Sequence, residues 1–198
     1  NPQGYLLERI EVFNWGNFYG WQKFNMLSAP DYSPLLRPSL HSIIAGVNGS
    51  GKSTLIDGIM VTLLPFEQAL HLGVTHDFEK GSGGGRNIRD YVLGKHSSSS
   101  QEGGSTEQTH GRKSGLSGII LSFRHASNPS KVVSVGRLWW YAHYKLKEDQ
   151  ASFLAYEDIS FGDSNKVALM REGKTPFKNA RSFRQHVSEL PHKIQTFD

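Results

Sequence analysis

The sequence predicts an α/β fold in which antiparallel β-hairpins lie beside a mixed sheet packed on one amphipathic helix. Residues 5–13 and 21–26 partly alternate apolar and polar side chains on either side of a turn at 14–17, which is typical of a β-hairpin. The apolar run 40–45 leads into a glycine-rich loop and is predicted to be a buried strand. From Lys52 onward the apolar spacing changes to that of a helix.

The helix that begins at Lys52 is predicted to pack through a single apolar face. Its apolar residues recur at helical spacing: Leu55, Ile59 and Leu63, with Ile56 and Met60 beside them. Pro65 limits the helix, because proline lacks the N–H donor and clashes with the preceding turn.

The second half of the chain predicts more strands and two helices. Residues 86–93 predict a short docked helix. Residues 180–190 predict a longer helix, since Phe183 and Val187 have helical spacing and Pro191 follows. Three runs predict further strands: 118–123, 131–144 and 153–156. The aromatic residues of the middle run suggest either sheet core, which we favour, or a nucleic-acid stacking surface: Trp139, Trp140, Tyr141 and Tyr144.

Residues 81–118 are rich in Gly and Ser and are predicted to form a flexible insertion in a single lobe spanning 1–198. Residues 97–115 contain no aliphatic side chain and no Phe, Tyr or Trp, and therefore cannot bury apolar surface.

The composition excludes several classes of protein. The 198 residues contain no Cys, which excludes disulfide scaffolds, thiolate zinc sites and cysteine nucleophiles. No run of 18 apolar residues occurs and no signal peptide is evident, so we expect a cytoplasmic protein without a membrane partner. Residues 166–198 carry seven basic and three acidic side chains. This segment is either an ordinary solvated surface or, with Arg86, Arg89 and Lys95, a nonspecific contact with DNA phosphates.

Residues 46–53 match the phosphate-loop pattern G-x-x-x-x-G-K-[ST] completely. Glycines allow successive backbone N–H groups to converge on phosphate oxygens at the positive end of the following helix. Lys52 would bind the β- and γ-phosphates of ATP, Ser53 would ligate Mg²⁺, and Thr54 would contact the α-phosphate. Lys52 and Ser53 are the predicted catalytic residues. The full predicted nucleotide site is Asn48, Gly49, Ser50, Gly51, Lys52, Ser53 and Thr54.

Hydrolysis requires further groups that the sequence does not supply convincingly. Glu157 and Asp158 follow an apolar run in the reverse of the Asp-Glu order expected of a metal-binding acid, and Gln195 resembles a magnesium-contacting glutamine only in residue type. Three interpretations stay open. They are half of a divided ATPase site, a self-sufficient P-loop NTPase or kinase that uses Glu157 or Asp158, and a nucleotide-gated interaction module without chemistry.

Three segments together resemble the SMC-like ATPases. Residues 7–18, with Phe-Asn-Trp-Gly at 13–16, resemble the first strand and turn of that superfamily, and 46–54 resemble its phosphate loop. The pattern Arg-x-x-Arg-x-Tyr-Val-Leu-Gly at 86–94 is similar to the MukB/MksB-type branch, and most of all to the JetC-type subunits of Wadjet plasmid-defence systems. The resemblance covers about residues 5–145.

The resemblance implies the N-terminal lobe of a P-loop NTPase head of the SMC/ABC type. The signature, Walker B and switch residues would then belong to a C-terminal lobe of the same protein. Two engaged heads would sandwich ATP and drive DNA translocation or loop extrusion. The implied partners are the C-terminal lobe, a second head, kleisin and winged-helix subunits, a nuclease subunit and DNA, in a nucleoid-associated setting. A condensin-type role in chromosome organisation is the alternative. The resemblance also implies that Asn14, Trp15 or nearby aromatics flank the nucleotide base.

Overall fold

A computed structural model describes residues 4–27, 42–64, 87–94, 111–112, 114–142, 149–171 and 174–197. The elements in chain order are β1 (Tyr5–Phe13), β2 (Trp21–Asn25), α1 (Lys52–Leu63), α2 (Ile88–Leu93), β3 (Ser114–His125), β4 (Asn128–Ala142), β5 (Asp149–Ala155), β6 (Ile159–Ser160), β7 (Val167–Ala168), α3 (Ala180–Glu189) and β8 (Ile194–Phe197).

Six strands form one sheet in the order β2-β1-β3-β4-β5-β8, and every neighbouring pair is antiparallel. The predicted hairpin of β1 and β2 is confirmed, with Phe13 opposite Trp21. The predicted mixed sheet is wrong for this main sheet. Parallel pairing occurs between β6 and β7, which form a separate two-stranded sheet. A hairpin such as β3–β4, closed by two residues, requires antiparallel strands, whereas parallel neighbours need a long crossover.

The sheet has a core on each face, because successive side chains of a strand point to opposite sides. One core packs against α1 and α2 and defines the α1 face, while the other packs against α3 and defines the α3 face. The neighbours Trp139 and Trp140 divide between them: Trp139 contacts Trp15 on the α1 face and Trp140 contacts Phe183 on the α3 face. Both tryptophans and Tyr141 are buried, which confirms the sheet-core interpretation; Tyr144 lies outside the described residues.

Helix α1 begins at Lys52 and ends at Leu63 as predicted, but its buried face differs from the predicted one. Leu55, Gly58 and Val61 face the sheet, whereas Met60 and Leu63 are exposed. The reason is Gly58, where a β carbon would lie 2.8 Å from Cδ1 of Ile119. Because glycine has no side chain, α1 approaches the sheet most closely there, and this turns part of the predicted stripe toward solvent.

The predicted strand at 40–45 is wrong for the part that the structure describes. Residues 42–46 form an irregular segment, and Ile43 is 93% exposed. A buried strand needs hydrogen-bonding neighbours, and the strands within the described ranges all pair with other partners. Residues 40 and 41, like the predicted proline-rich loop at Pro30, Pro34 and Pro38, lie outside the described residues.

The short helix predicted at 86–93 is confirmed as α2, and the helix predicted at 180–190 is confirmed as α3. Strand β3 begins at Ser114, earlier than the predicted 118, because Leu116 and Ser117 continue the pairing with β4. The segment predicted as an insertion, 81–118, therefore contains α2 and the start of β3, and most of its other residues lie outside the described ranges. Strand β8 was not predicted. No described helix is long and apolar enough to cross a membrane.

Candidate nucleotide-binding site

The glycine-rich loop forms a tight turn between the irregular segment 42–46 and α1. The backbone N–H of Ser50 donates to the carbonyl of Val47 at 3.2 Å. Gly51 has a φ of 96°, a left-handed conformation that favours glycine. A β carbon at Gly51 would also lie 2.7 Å from Cζ of Phe18, so glycine is required both by the backbone and by the space around it.

Lys52 and Ser53 stand together where the loop meets α1. The Nζ of Lys52 donates to the carbonyl oxygens of Gly46 at 2.7 Å and Val47 at 2.9 Å, so its ammonium group crosses the loop. Phosphate oxygens are stronger acceptors for an ammonium group than these neutral carbonyls. Ser53 is exposed, whereas Thr54 is buried. The loop therefore offers a cation and a hydroxyl side by side.

Ser53 is the residue of the loop that could ligate a metal ion, as the sequence predicts. Among the described residues, no group of three or more His, Asp or Glu side chains could hold a metal ion. Mg²⁺ commonly takes only one or two protein ligands and completes its shell with water and phosphate oxygens. The exposed hydroxyl of Ser53 at the start of α1 fits this chemistry.

A cavity of about 470 Å³ opens beside the loop, which is within the size range of small-molecule sites. Phe18 and Phe24 of the β1–β2 hairpin line it and make an edge-to-face contact with ring centroids 5.4 Å apart. Lys52 supplies a cationic side chain to its wall. Lys23 also borders the cavity, but it alternates with Phe24 along β2, and its Nζ pairs with Oδ2 of Asp163 at 3.6 Å on the other face of the sheet. Phe18 and Phe24 were not named among the residues predicted from the sequence. The sequence feature that could have identified them is the aromatic content of the hairpin. One phenylalanine lies in the turn and the other on β2, and both rings can reach the loop.

The expectation that Asn14, Trp15 or nearby aromatics flank a nucleotide base is not met by Asn14 or Trp15, which leaves the nearby aromatics. Trp15 is fully buried, its ring stacks on Tyr91 at 4.7 Å between centroids, and its Nε1 donates to the carbonyl of Thr54 at 2.9 Å. The carboxamide of Asn14 accepts from the N–H of Gly20 and donates to the carbonyl of Leu116. Trp15 supports α1 from beneath, and Asn14 closes the turn after β1.

Helix α2 fastens this turn to α1, a role that the sequence analysis missed. The hydroxyl of Tyr91 donates to Oδ2 of Asp57 on α1 at 2.5 Å, and the carbonyl of Tyr91 accepts from the N–H of Gly16 at 2.8 Å. Nη2 of Arg112 donates to the carbonyls of Gly16 and Tyr91, each at 2.9 Å. Burial lowers the pKa of Arg112 from its ordinary value.

Asp158 lies on the α3 face, across the sheet from α1. Arg9 alternates along β1 with Ile10 of the α1-face core, and its Nη2 donates to Oδ1 of Asp158 at 2.6 Å. Lys166 forms a second ion pair with the same carboxylate. Burial raises the pKa of Asp158, but the hydrogen bonds from Arg9 and Lys166 outweigh it and hold the pKa below its ordinary value. The carboxylate of Asp158 is thus engaged in ion pairs that stabilise the fold.

Glu157 and Gln195 are also remote from the loop in the topology. Glu157 follows β5, and its Oε2 lies 2.5 Å from Nδ1 of His192. Gln195 is exposed on β8, the edge of the main sheet opposite to β2, while β2 supplies the cavity wall beside the loop. The structure therefore gathers Lys52 and Ser53 with the loop and does not bring Glu157, Asp158 or Gln195 to it.

Comparison with known proteins supports a P-loop NTPase without assigning a narrower family. A family described as the P-loop containing region of AAA domain matches residues 7–71, which include β1, β2, the glycine-rich loop and α1. The match favours nucleotide binding at the loop. No curated protein matches the chain.

Proposed function

We propose that this chain is the ATP-binding half of an SMC-like ATPase head, which hydrolyses ATP only after it engages a C-terminal lobe of the same protein. The observation that carries the proposal is a folded phosphate loop adjoining an exposed apolar surface. In this proposal the loop residues 48–54 hold the triphosphate, Lys52 neutralises its charge and Ser53 contributes a ligand to Mg²⁺.

The exposed apolar surface supports the proposal that a C-terminal lobe packs against this chain. Six large apolar side chains near the loop and along α1 are exposed and define the loop-side apolar surface: Ile43, Val47, Ile56, Met60, Leu63 and Leu64. Single exposed apolar residues are ordinary, whereas a contiguous exposed apolar patch is typical of an interaction site. In the proposal these six side chains, which lie within 22 consecutive residues, form one such patch. We propose that strands of the C-terminal lobe pair with the apolar run 40–45 and cover this surface.

The cavity beside the loop supports a nucleotide rather than a bare phosphate as ligand. Its aromatic pair, Phe18 and Phe24, offers an apolar wall for a base, and Lys52 offers positive charge for the phosphates. In the proposal the base lies against these phenylalanine rings, in place of the predicted Asn14 and Trp15.

The partners are proposed from the resemblance at 7–18 and 86–94. They are a second head, kleisin and winged-helix subunits and a nuclease, in a JetC-type subunit of Wadjet plasmid defence; a condensin-type subunit that organises chromosomes is the alternative. DNA contact is supported by basic side chains that are exposed on α3 and the segment before it: Arg171, Lys174, Lys178 and Arg181. Such contacts should weaken steeply as salt rises, and DNA affinity that is insensitive to salt would contradict them.

The decisive experiment measures ATP binding and phosphate release by the chain with Mg²⁺, beside Lys52→Ala. We expect binding with little turnover, and an affinity at least about tenfold weaker in Lys52→Ala, because a charge-assisted hydrogen bond is lost. Lys178→Ala, an exposed lysine next to α3 on the other face of the sheet, is the control and should bind as the unaltered chain does.

Two outcomes separate the competing functions. Turnover that appears only when the C-terminal lobe is added would support the divided head. Robust turnover by the chain alone that Glu157→Gln abolishes would overturn it in favour of a self-sufficient NTPase. Binding without turnover even beside the C-terminal lobe would favour a nucleotide-gated interaction module.

A further inference from the structure

We infer that Asn17 is a positioning residue for the phosphate loop, and that its carboxamide holds the loop backbone ready for a polyphosphate. The inference rests on the proposed function, since it assigns a role in nucleotide binding at the loop. Asn17 belongs to the turn between β1 and β2 and lies about thirty residues before the loop in sequence. Neither the phosphate-loop pattern nor the spacing of the turn points to it.

The carboxamide of Asn17 contacts both left-handed glycines of the loop. Its Nδ2 donates to the carbonyl of Gly49 at 3.4 Å. It also lies across Gly51, where a β carbon would be 2.9 Å from Oδ1 and 3.0 Å from Nδ2. The φ values of these glycines are 81° and 96°. Glycine loses more backbone freedom on ordering than any other residue, so a contact that fixes two of them lowers the entropy cost of binding.

The hydrogen bonding of Asn17 points to the loop rather than to its own turn. Asn14, in the same turn, satisfies its carboxamide oxygen with the N–H of Gly20. Oδ1 of Asn17 is buried and has no partner among the described residues. An asparagine that served only the turn would bond within it, as Asn14 does, because an unpaired buried acceptor is unfavourable. Asn17 instead directs its amide at Gly49 and Gly51.

The test measures dissociation constants for ATP and for inorganic tripolyphosphate, which lacks a base, together with the melting temperature of the unliganded chain. We expect Asn17→Ala to weaken both ligands by about three- to tenfold, the effect of one hydrogen bond, and to leave the melting temperature nearly unchanged. Asn17→Asp keeps the shape but replaces the donor by a carboxylate beside the Gly49 carbonyl. We expect Asn17→Asp to weaken the affinity for both ligands at least about tenfold more than Asn17→Ala does, and this extra loss of affinity should shrink as salt is added.

Gln22→Ala is the matched control, because it removes a carboxamide of the same hairpin that donates to the carbonyl of Tyr19. It should bind both ligands as the unaltered chain does. If the unaltered chain binds neither ligand, the proposed function fails. If the unaltered chain binds both ligands and the two Asn17 variants bind them with the same affinity as the unaltered chain, the positioning role is overturned and the proposed function stands. A loss confined to ATP would also overturn the role, since it would indicate a contact with the base.

Discussion

Gly16 illustrates how a single residue fixes the support of the phosphate loop. Its φ is 56°, and a β carbon there would lie 2.4 Å from Cγ2 of Thr54. Its N–H and carbonyl are bonded to Tyr91 and Arg112. The turn after β1 therefore meets α1 at a point with no room for a side chain.

We predict that Gly16→Ala lowers the free energy of unfolding by about 2–4 kcal/mol, because backbone strain adds to a clash with Thr54. Gly20→Ala is the control. Its φ of 67° imposes similar strain, but nothing lies within 4 Å of the added carbon. Urea denaturation of both variants measures the difference, and equal losses would show that the clash with Thr54 has no energetic weight.

For single residues, the sequence predicted a position correctly where that position depends on neighbours along the chain. Lys52 and Ser53 stand where the phosphate-loop pattern puts them. The structural roles of Trp15 and Asp158 were not predicted, because their partners come from distant segments. These partners are Thr54 and Tyr91 for Trp15, and Arg9 for Asp158. Spacing along one strand carries no information about such partners.

Among the elements, α1 receives hydrogen bonds from both α2 and β4. The hydroxyl of Tyr91 on α2 donates to Asp57, and Nη1 of Arg137 on β4 donates to the carbonyl of Val61 at the end of α1. Helix α1 starts at the phosphate loop, and these two hydrogen bonds hold it at its middle and at its end.

We predict that Tyr91→Phe costs about 1 kcal/mol of unfolding free energy and leaves Asp57 with one donor fewer. Tyr141→Phe is a matched control on the same face of the sheet. Its hydroxyl is buried without a hydrogen-bond partner in the described part of the chain, so its removal should be neutral or slightly stabilising. Thermal or urea denaturation of the two variants compares them, and a larger loss for Tyr141→Phe would contradict the assignment.

Element prediction succeeded where local pattern is sufficient. The hairpin, α2 and α3 follow from alternation, capping residues and helical spacing. The run 40–45 reads as a buried strand in sequence, yet a strand exists only with a partner, and its described part has none among the described strands. The same dependence on partners explains the wrong expectation of a mixed sheet.

For the molecule as a whole, a buried charge network ties β1 to the chain that follows β5. Glu11 is fully buried and accepts hydrogen bonds from Arg9, Trp21 and Ser160, while Arg9 extends the network to Asp158. The network crosses about 150 residues of sequence and closes the α3 face. Stability should therefore depend on the ionisation of Asp158.

The pKa of Asp158 lies below its ordinary value, so its ionised form favours the folded state. The stabilisation is complete above the ordinary aspartate pKa of about 4 and is lost as the pH falls through the lower pKa of the folded state. We predict that Asp158→Asn lowers the free energy of unfolding at pH 7 by about 1–3 kcal/mol and flattens its decline below pH 4. Ser188→Ala removes an exposed, uncharged α3 side chain whose hydroxyl donates to the carbonyl of Gln185, and it should leave the decline unchanged in denaturation measured from pH 2 to pH 7.

The sheet order also has a consequence for the time course of folding. Strands β3 and β4 are joined by two residues and can pair early, whereas β1 pairs with β3 across more than one hundred residues that include the phosphate loop. Closing so long a loop is slow, because its entropy is lost before its contacts form. Trp15, Asn17 and Phe18 follow β1 and contact α1 and the loop, and α1 itself packs on β3 where Gly58 meets Ile119. We therefore expect the complete support of the loop to form together with that closure. Acquisition of ligand affinity should thus be a late kinetic event, trailing the β3–β4 hairpin.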